Sequence, residues 1–208
     1  MHIIRGIAVA FSTYSKIPMP QFVWKEEDMR YSMCFFPWIG AVIGAILWGW
    51  FRLSALLGIS TLAFILISAA LPLIITGGFH VDGFMDTMDA LHSYQPRERK
   101  LEILKDSHTG AFAIIFCGIY LVADLGIWSA IPETLLPVMA LSFVFSRSLS
   151  GLSVVTFKNA RKDGLLATFS SSAERIVTRV LLVLYLIFSA AGMIVLNWKA
   201  GLSAVLAG

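Results

Sequence analysis

Charge is what this sequence has least of. Asp, Glu, Lys and Arg together make up 14% of its 208 residues, where an ordinary water-soluble domain carries about 25%. With 58% hydrophobic residues, that scarcity excludes a conventional soluble domain. Apolar windows of about 18–20 residues recur, the length that crosses a bilayer core. Cysteine is scarce as well. Cys34 and Cys117 both lie in apolar segments without metal-ligand spacing and read as core thiols. No internal repeat, low-complexity segment or linker divides the chain, so a single integral membrane domain over residues 1–208 is expected. A cleavable signal is not expected either. The apolar run from Gly6 to Phe11 is short, and Ser12-Thr13-Tyr14-Ser15-Lys16 interrupts it. This first segment reads as an interfacial or re-entrant helix ending before Pro18-Met19-Pro20. The net charge of +3 does not point to nucleic acid, because the basic residues flank apolar spans, where topology accounts for them.

What is present is a set of five apolar spans, at about residues 33–51, 58–75, 111–131, 135–157 and 176–196. The fold class expected is all-α, a polytopic helical membrane protein with an additional N-terminal helix. Gly40 and Gly44 have the GxxxG spacing that lets two helices approach closely. Two polar loops stand out, 77–109 and 158–175. Lys and Arg concentrate in them and in the N-terminal segment (Arg5, Lys16, Lys25, Arg30), whereas opposite-side segments offer Arg52 and Lys199. Positive residues favour the cytoplasm, which places both loops and the N-terminus there and the chain in the cell (inner) membrane.

The loop 77–109 opens with an acidic stretch, His80-Val81-Asp82-Gly83-Phe84-Met85-Asp86-Thr87-Met88-Asp89. Asp82, Asp86 and Asp89 are spaced i, i+4, i+7, which puts them on one face of a helix. The rise from Asp82 to Asp89 is about 10 Å, too long for one ion to bind all three. It suits Asp86 bridging two ions about 4 Å apart. Uncompensated carboxylates would repel, and no Lys or Arg stands at i+4 to relieve them, which disfavours a merely solvated face. All-oxygen ligands select a hard ion, Mg2+ or Mn2+, and Mg2+ completes its shell with water and substrate phosphate. A phosphorylated substrate follows. His80 is a candidate general base, phosphate partner or outer-sphere group. Upstream, Thr76-Gly77-Gly78 offers backbone N–H groups to an anion at a helix start.

Residues 97–106 read as an amphipathic helix ended by Asp106, which shares a face with Glu102. Asp106 is a candidate further metal ligand. Asp124 and Arg147 are ionisable residues deep in spans, where charge is costly and pairs or lines a cavity. They read either as a mutual pair or, for Arg147, as a phosphate contact. Arg161-Lys162-Asp163-Gly164 fits a pyrophosphate clamp or simple cytoplasmic anchoring.

Several separated motifs occur in an order that resembles the cobalamin synthase family. They are Ser12-Thr13 to Pro18-Met19-Pro20, Phe35-Phe36-Pro37-Trp38-Ile39-Gly40, the run from Thr76 to Ala90, Arg97 to Ala111, and Arg147 with Arg161 to Leu165. The resemblance implies adenosylcobinamide-GDP ribazoletransferase activity in late vitamin B12 assembly. A ribazole hydroxyl, of α-ribazole or its 5'-phosphate, attacks the phosphate nearest the cobinamide and displaces GMP, with Mg2+ required. It implies Asp82, Asp86 and Asp89 as metal-binding catalytic residues, with Asp106 added, and His80 or a free carboxylate as proton acceptor. Lys105, Arg147 and Arg161 are candidate phosphate contacts. The expected partners are the corrinoid nucleotide, ribazole and the lipid bilayer, with a homo-oligomer or other cobalamin-assembly enzymes left open. Family members usually continue into a Gly-rich segment containing Thr-Gly-Asp. This chain ends at Ala204-Val205-Leu206-Ala207-Gly208, so a C-terminally shortened chain is expected.

Two rivals are weaker. A CDP-alcohol-type phosphotransferase also spaces Asp residues on a helix, but it pairs Asp-Gly with a downstream Ala-Arg that Phe84-Met85-Asp86 replaces. A membrane carrier would show paired repeats.

Overall fold

The computed structural model describes residues 2–106, 108–159 and 164–207. The described residues are all helix and connection, with no strand among them. They pack as two compact units, residues 60–131 and residues 1–59 with 132–208.

The larger unit begins with α1 (His2–Tyr14), which ends before Pro18 as expected, and the one-turn α2 (Glu26–Met29). The first long helix is α3 (Phe36–Leu57), with Pro37 in its first turn. Proline is favoured there, because its missing N–H has no helical partner to lose. Gly58 ends α3 in the left-handed region at φ 62°, a conformation that glycine alone adopts freely.

The smaller unit holds α4 (Thr61–Thr76), α5 (Phe79–His92), α6 (Arg97–Ile103) and α7 (Ala111–Ala130). Ser60 caps α4 by accepting the Ala63 N–H at 3.4 Å. The larger unit resumes with α8 (Leu136–Thr156), α9 (Leu165–Ser172), α10 (Arg175–Leu196) and α11 (Trp198–Ala207). α9 corrects the reading of 158–175 as a polar loop: it is an eight-residue helix that starts after Gly164. α11 lies beyond the fifth span, after a break at Asn197, and has no counterpart among the expected helices.

Four stretches are long and apolar enough to cross a membrane: 26–57 ending in α3, α7, 133–156 ending in α8, and α10. The fifth expected span passes that test only as α4 and α5 together, a pair bent by 89°. Side chains such as Ile114, Val122 and Ile127 on α7 and Ile176, Phe188 and Val195 on α10 are exposed, the surface a lipid-facing helix presents. The chain is a multi-pass helical membrane protein.

The GxxxG spacing acts as expected. α3 crosses α8 so closely that a Cβ on Gly44 would stand 2.6 Å from the Ala140 carbonyl oxygen, and one on Gly40 would overlap the Phe143 carbonyl. Beside this crossing, Ile39 and Ile43 are fully buried. Cys34 is buried too, its thiol 3.4 Å from the Thr178 hydroxyl, in agreement with a core role. The sequence reading passed over Asp28. It is 2% exposed and paired with Arg5 at 3.0 Å, and it accepts the Lys25 N–H at 3.0 Å, which ties α1 to α2.

Candidate functional site

In the smaller unit, Gly77 and Gly78 take φ of 64° and 74° in succession. The Gly78 N–H reaches back to the Leu73 carbonyl (2.9 Å), and the Gly78 carbonyl then accepts the Asp82 N–H (2.9 Å). Two left-handed residues thus close α4 and start α5 at a sharp angle, which is why the acidic stretch forms its own helix. With a Cβ, Gly78 would meet nothing within 4 Å. Its need is conformational.

On α5 the three carboxylates share one face, as their spacing requires. Asp82 is exposed, and Asp86 is half-buried. Among the described residues, neither forms an ion pair with Lys or Arg. Asp89 has a different environment. Its Oδ2 accepts the Gly110 N–H at 2.6 Å, and its Oδ1 accepts the Ala113 N–H at 2.9 Å. These are first-turn amides of α7, which have no helical acceptor of their own. Asp89 therefore caps α7 from another helix and uses one lone pair of each oxygen to do so. Gly110 permits the approach, since a Cβ there would lie 2.6 Å from Asp89 Oδ1. Further contacts hold α5 on α7. The His92 ring stacks 4.2 Å from Phe116, and Phe84 meets Tyr120 at 6.0 Å.

The other expected residues divide. His80 is exposed in the first turn of α5. At about 100° per residue, it stands some 200° round the helix from Asp82, off the acidic face. Asp106 is not on α6. The helix ends at Ile103, so Asp106 no longer shares a face with Glu102, and Glu102 pairs with Arg99 at 2.5 Å. The Asp106 carboxylate folds onto His108, accepting its backbone N–H at 3.0 Å and lying 2.6 Å from its Nδ1. Those hydrogen bonds hold the Asp106 carboxyl below the usual carboxylate range. Lys105 follows the end of α6, with its N–H on the Glu102 carbonyl. Among the described residues no three His, Cys, Asp or Glu side chains converge on one point to hold an ion.

Arg147 lies on α8 in the larger unit, and Asp124 on α7 in the smaller one. Arg147 is 8% exposed. One guanidinium N–H donates to the Phe143 carbonyl at 3.3 Å, while among the described residues the buried Nε has no hydrogen-bond partner. Arg161 lies outside the described residues. The sequence reading missed the roles of Gly110 and His92. The small residue before the third span and a His three residues beyond the last Asp were visible, but nothing local says that α7 returns to α5.

The comparisons with known proteins agree with one another. The family model described as cobalamin-5-phosphate synthase matches residues 6–208. An adenosylcobinamide-GDP ribazoletransferase from Lachnoclostridium phytofermentans is 44% identical over 194 residues, 93% of this chain and 74% of the relative. One of the same name from Desulfitobacterium hafniense is 36% identical, covering 81% of this chain and 67% of that protein. Another, from Clostridium perfringens, is 29% identical, with 88% and 74% covered. No solved structure matches. The match over nearly the whole chain and the 44% identity together place this protein in the cobalamin-5-phosphate synthase family.

Proposed function

We propose that this chain, a transferase of cobalamin biosynthesis, moves the adenosylcobinamide phosphate from adenosylcobinamide-GDP to the hydroxyl of α-ribazole or its 5'-phosphate, releasing GMP. The observation that carries the reading is the uncompensated Asp82–Asp86 face in a chain whose relatives bear that enzyme's name. Two aligned carboxylates with no basic partner among the described residues are a hard, anionic donor set, and this chemistry fits Mg2+. Asp82 and Asp86 would hold it. Asp89 contributes what its α7 amides leave free, and Asp106 is a more distant addition that its His108 contacts restrain. When bound, the ion neutralises charge on the pyrophosphate as GMP departs.

The protein's own groups do the rest. Gly77 and Gly78 turn the amino end of α5, the positive end of its dipole, toward incoming anionic substrate. Asp89 keeps α5 fixed on α7, so the two outer carboxylates are presented without reorganisation. Of the two candidate proton acceptors, a carboxylate on the acidic face is better placed than His80, which points from another side of the helix. Lys105, Arg147 and Arg161 are the cations proposed for the phosphates, and the unsatisfied Arg147 Nε is the feature that most asks for an anion. The multi-pass chain lies in the cell inner membrane with both large loops cytoplasmic, where its nucleotide substrates are.

The test is membranes containing the protein, supplied with Mg2+, adenosylcobinamide-GDP and α-ribazole. GMP release that depends on ribazole is the expected result. Absence of that release, together with CMP release from a CDP-alcohol, would replace this reading with the lipid-type phosphotransferase.

A further inference from the structure

The larger unit contains a cavity of about 640 Å³ between α2, the end of α8, α9 and the start of α10. It is within the roughly 300–1,000 Å³ typical of small-molecule sites. Its lining carries several polar side chains: Lys158 and Arg175 stand on it, with the hydroxyl residues Thr168, Ser170, Ser171 and Ser172 along α9. Among the described residues, neither cation has a carboxylate within ion-pair distance. The one acid in the lining, Glu26, is engaged by the Ser172 hydroxyl at 3.4 Å. Ser170 provides an independent sign. It is 7% exposed, and among the described residues its hydroxyl has no hydrogen-bond partner. The Ser170 oxygen is not fully enclosed, so the hydroxyl opens on the cavity, where it can donate to an occupant. Gly164, at the amino end of α9, also lines the cavity and adds the positive end of a helix to the two cations.

We propose that this cavity seats the phosphate of a nucleoside phosphate, with Arg175 and Lys158 pairing its charge and Ser170 donating to it. The inference deepens the ribazoletransferase reading, which brings two such species to the protein: the guanine nucleotide and α-ribazole 5'-phosphate. Arginine and hydroxyl groups lining one recess favour a phosphate, whose three free oxygens take more donors than a carboxylate's two.

The experiment measures binding and needs no turnover. The full chain, in nanodiscs of phosphatidylcholine, is dialysed to equilibrium against labelled GMP, α-ribazole 5'-phosphate and unphosphorylated α-ribazole. Arg175→Gln and the milder Ser170→Ala are expected to weaken one of the two phosphates by about tenfold or more. α-Ribazole binding should stay unchanged, and Arg52→Gln on the exposed end of α3 should change nothing. The phosphate that weakens identifies the occupant. Unchanged affinity for both phosphates in both variants overturns the proposal. So does an effect that appears only when anionic phosphatidylglycerol is present, which would make the cavity a lipid-headgroup seat. Nucleotide binding without any GMP release from adenosylcobinamide-GDP would sink the ribazoletransferase reading while leaving this one standing.

Discussion

Asp82, Asp86 and Asp89 share a face but not a task. Asp82→Asn is expected to abolish ribazole-dependent GMP release while the protein still inserts into membranes at normal yield, and retained turnover would remove Asp82 from the ion site. Asp89 has a measurable structural duty besides. Asp89→Ala strands the Gly110 and Ala113 amides in a half-buried place, a loss of about 1–3 kcal/mol. It should appear as a lower Tm in detergent with Mg2+ absent. Gly110→Ala should lower Tm in the same way, by driving a Cβ onto the Asp89 carboxylate. If both variants melt like the parent, the cap does not hold α5 to α7. Chelation of Mg2+ by EDTA should abolish activity in the parent, and added Mg2+ or Mn2+ should restore it. Asp86→Asn should raise the Mg2+ concentration needed for half-maximal rate or remove activity altogether.

Among the elements, the α3–α8 crossing depends on the smallest side chains. Gly44→Val must push backbone away from backbone at Ala140, which no rotamer change relieves, so a loss of about 1–3 kcal/mol or more is expected. Gly49→Val, on the same helix but with open space around its Cβ position, should be close to neutral. Thermal unfolding of the pair in one detergent checks this, and equal melting would show that the crossing is looser than described. The break between α4 and α5 is a second element-scale device. Gly78 needs φ near 74°, where an L-residue pays roughly 1–2 kcal/mol. Gly78→Ala should therefore disturb the presentation of Asp82 and lower the turnover number, leaving the α3–α8 unit unaffected.

For the whole molecule, the question is which loops share a side of the membrane. The proposed cytoplasmic placement of 77–109 and 158–175 can be checked by thiol labelling. In a Cys34→Ser, Cys117→Ser background, Glu98→Cys and Asn159→Cys should react with a membrane-impermeant maleimide only after the inner face is opened. Glu133→Cys, at the start of the stretch leading into α8, should react from outside. The reverse pattern would invert the topology. Helix class, the long spans and the clustering of acid on the helix after α4 were legible in the sequence, because hydropathy and the i, i+4, i+7 period are local properties. The GxxxG pair was legible as a packing motif, but not its partner. α11, the detachment of Asp106 from α6 and the placement of His80 off the acidic face were not legible to the same degree. A helix end is decided by which backbone groups find partners, and Asp106 found His108. The sequence by itself determined that this is a helical membrane protein with three carboxylates on one helix face, because length, apolarity and spacing suffice for that. Only the tertiary structure decided that Asp89 faces the amides of α7 and that Gly44 faces Ala140. It also decided that Ser170 opens on a cavity, since each of these depends on contacts between residues far apart in the chain.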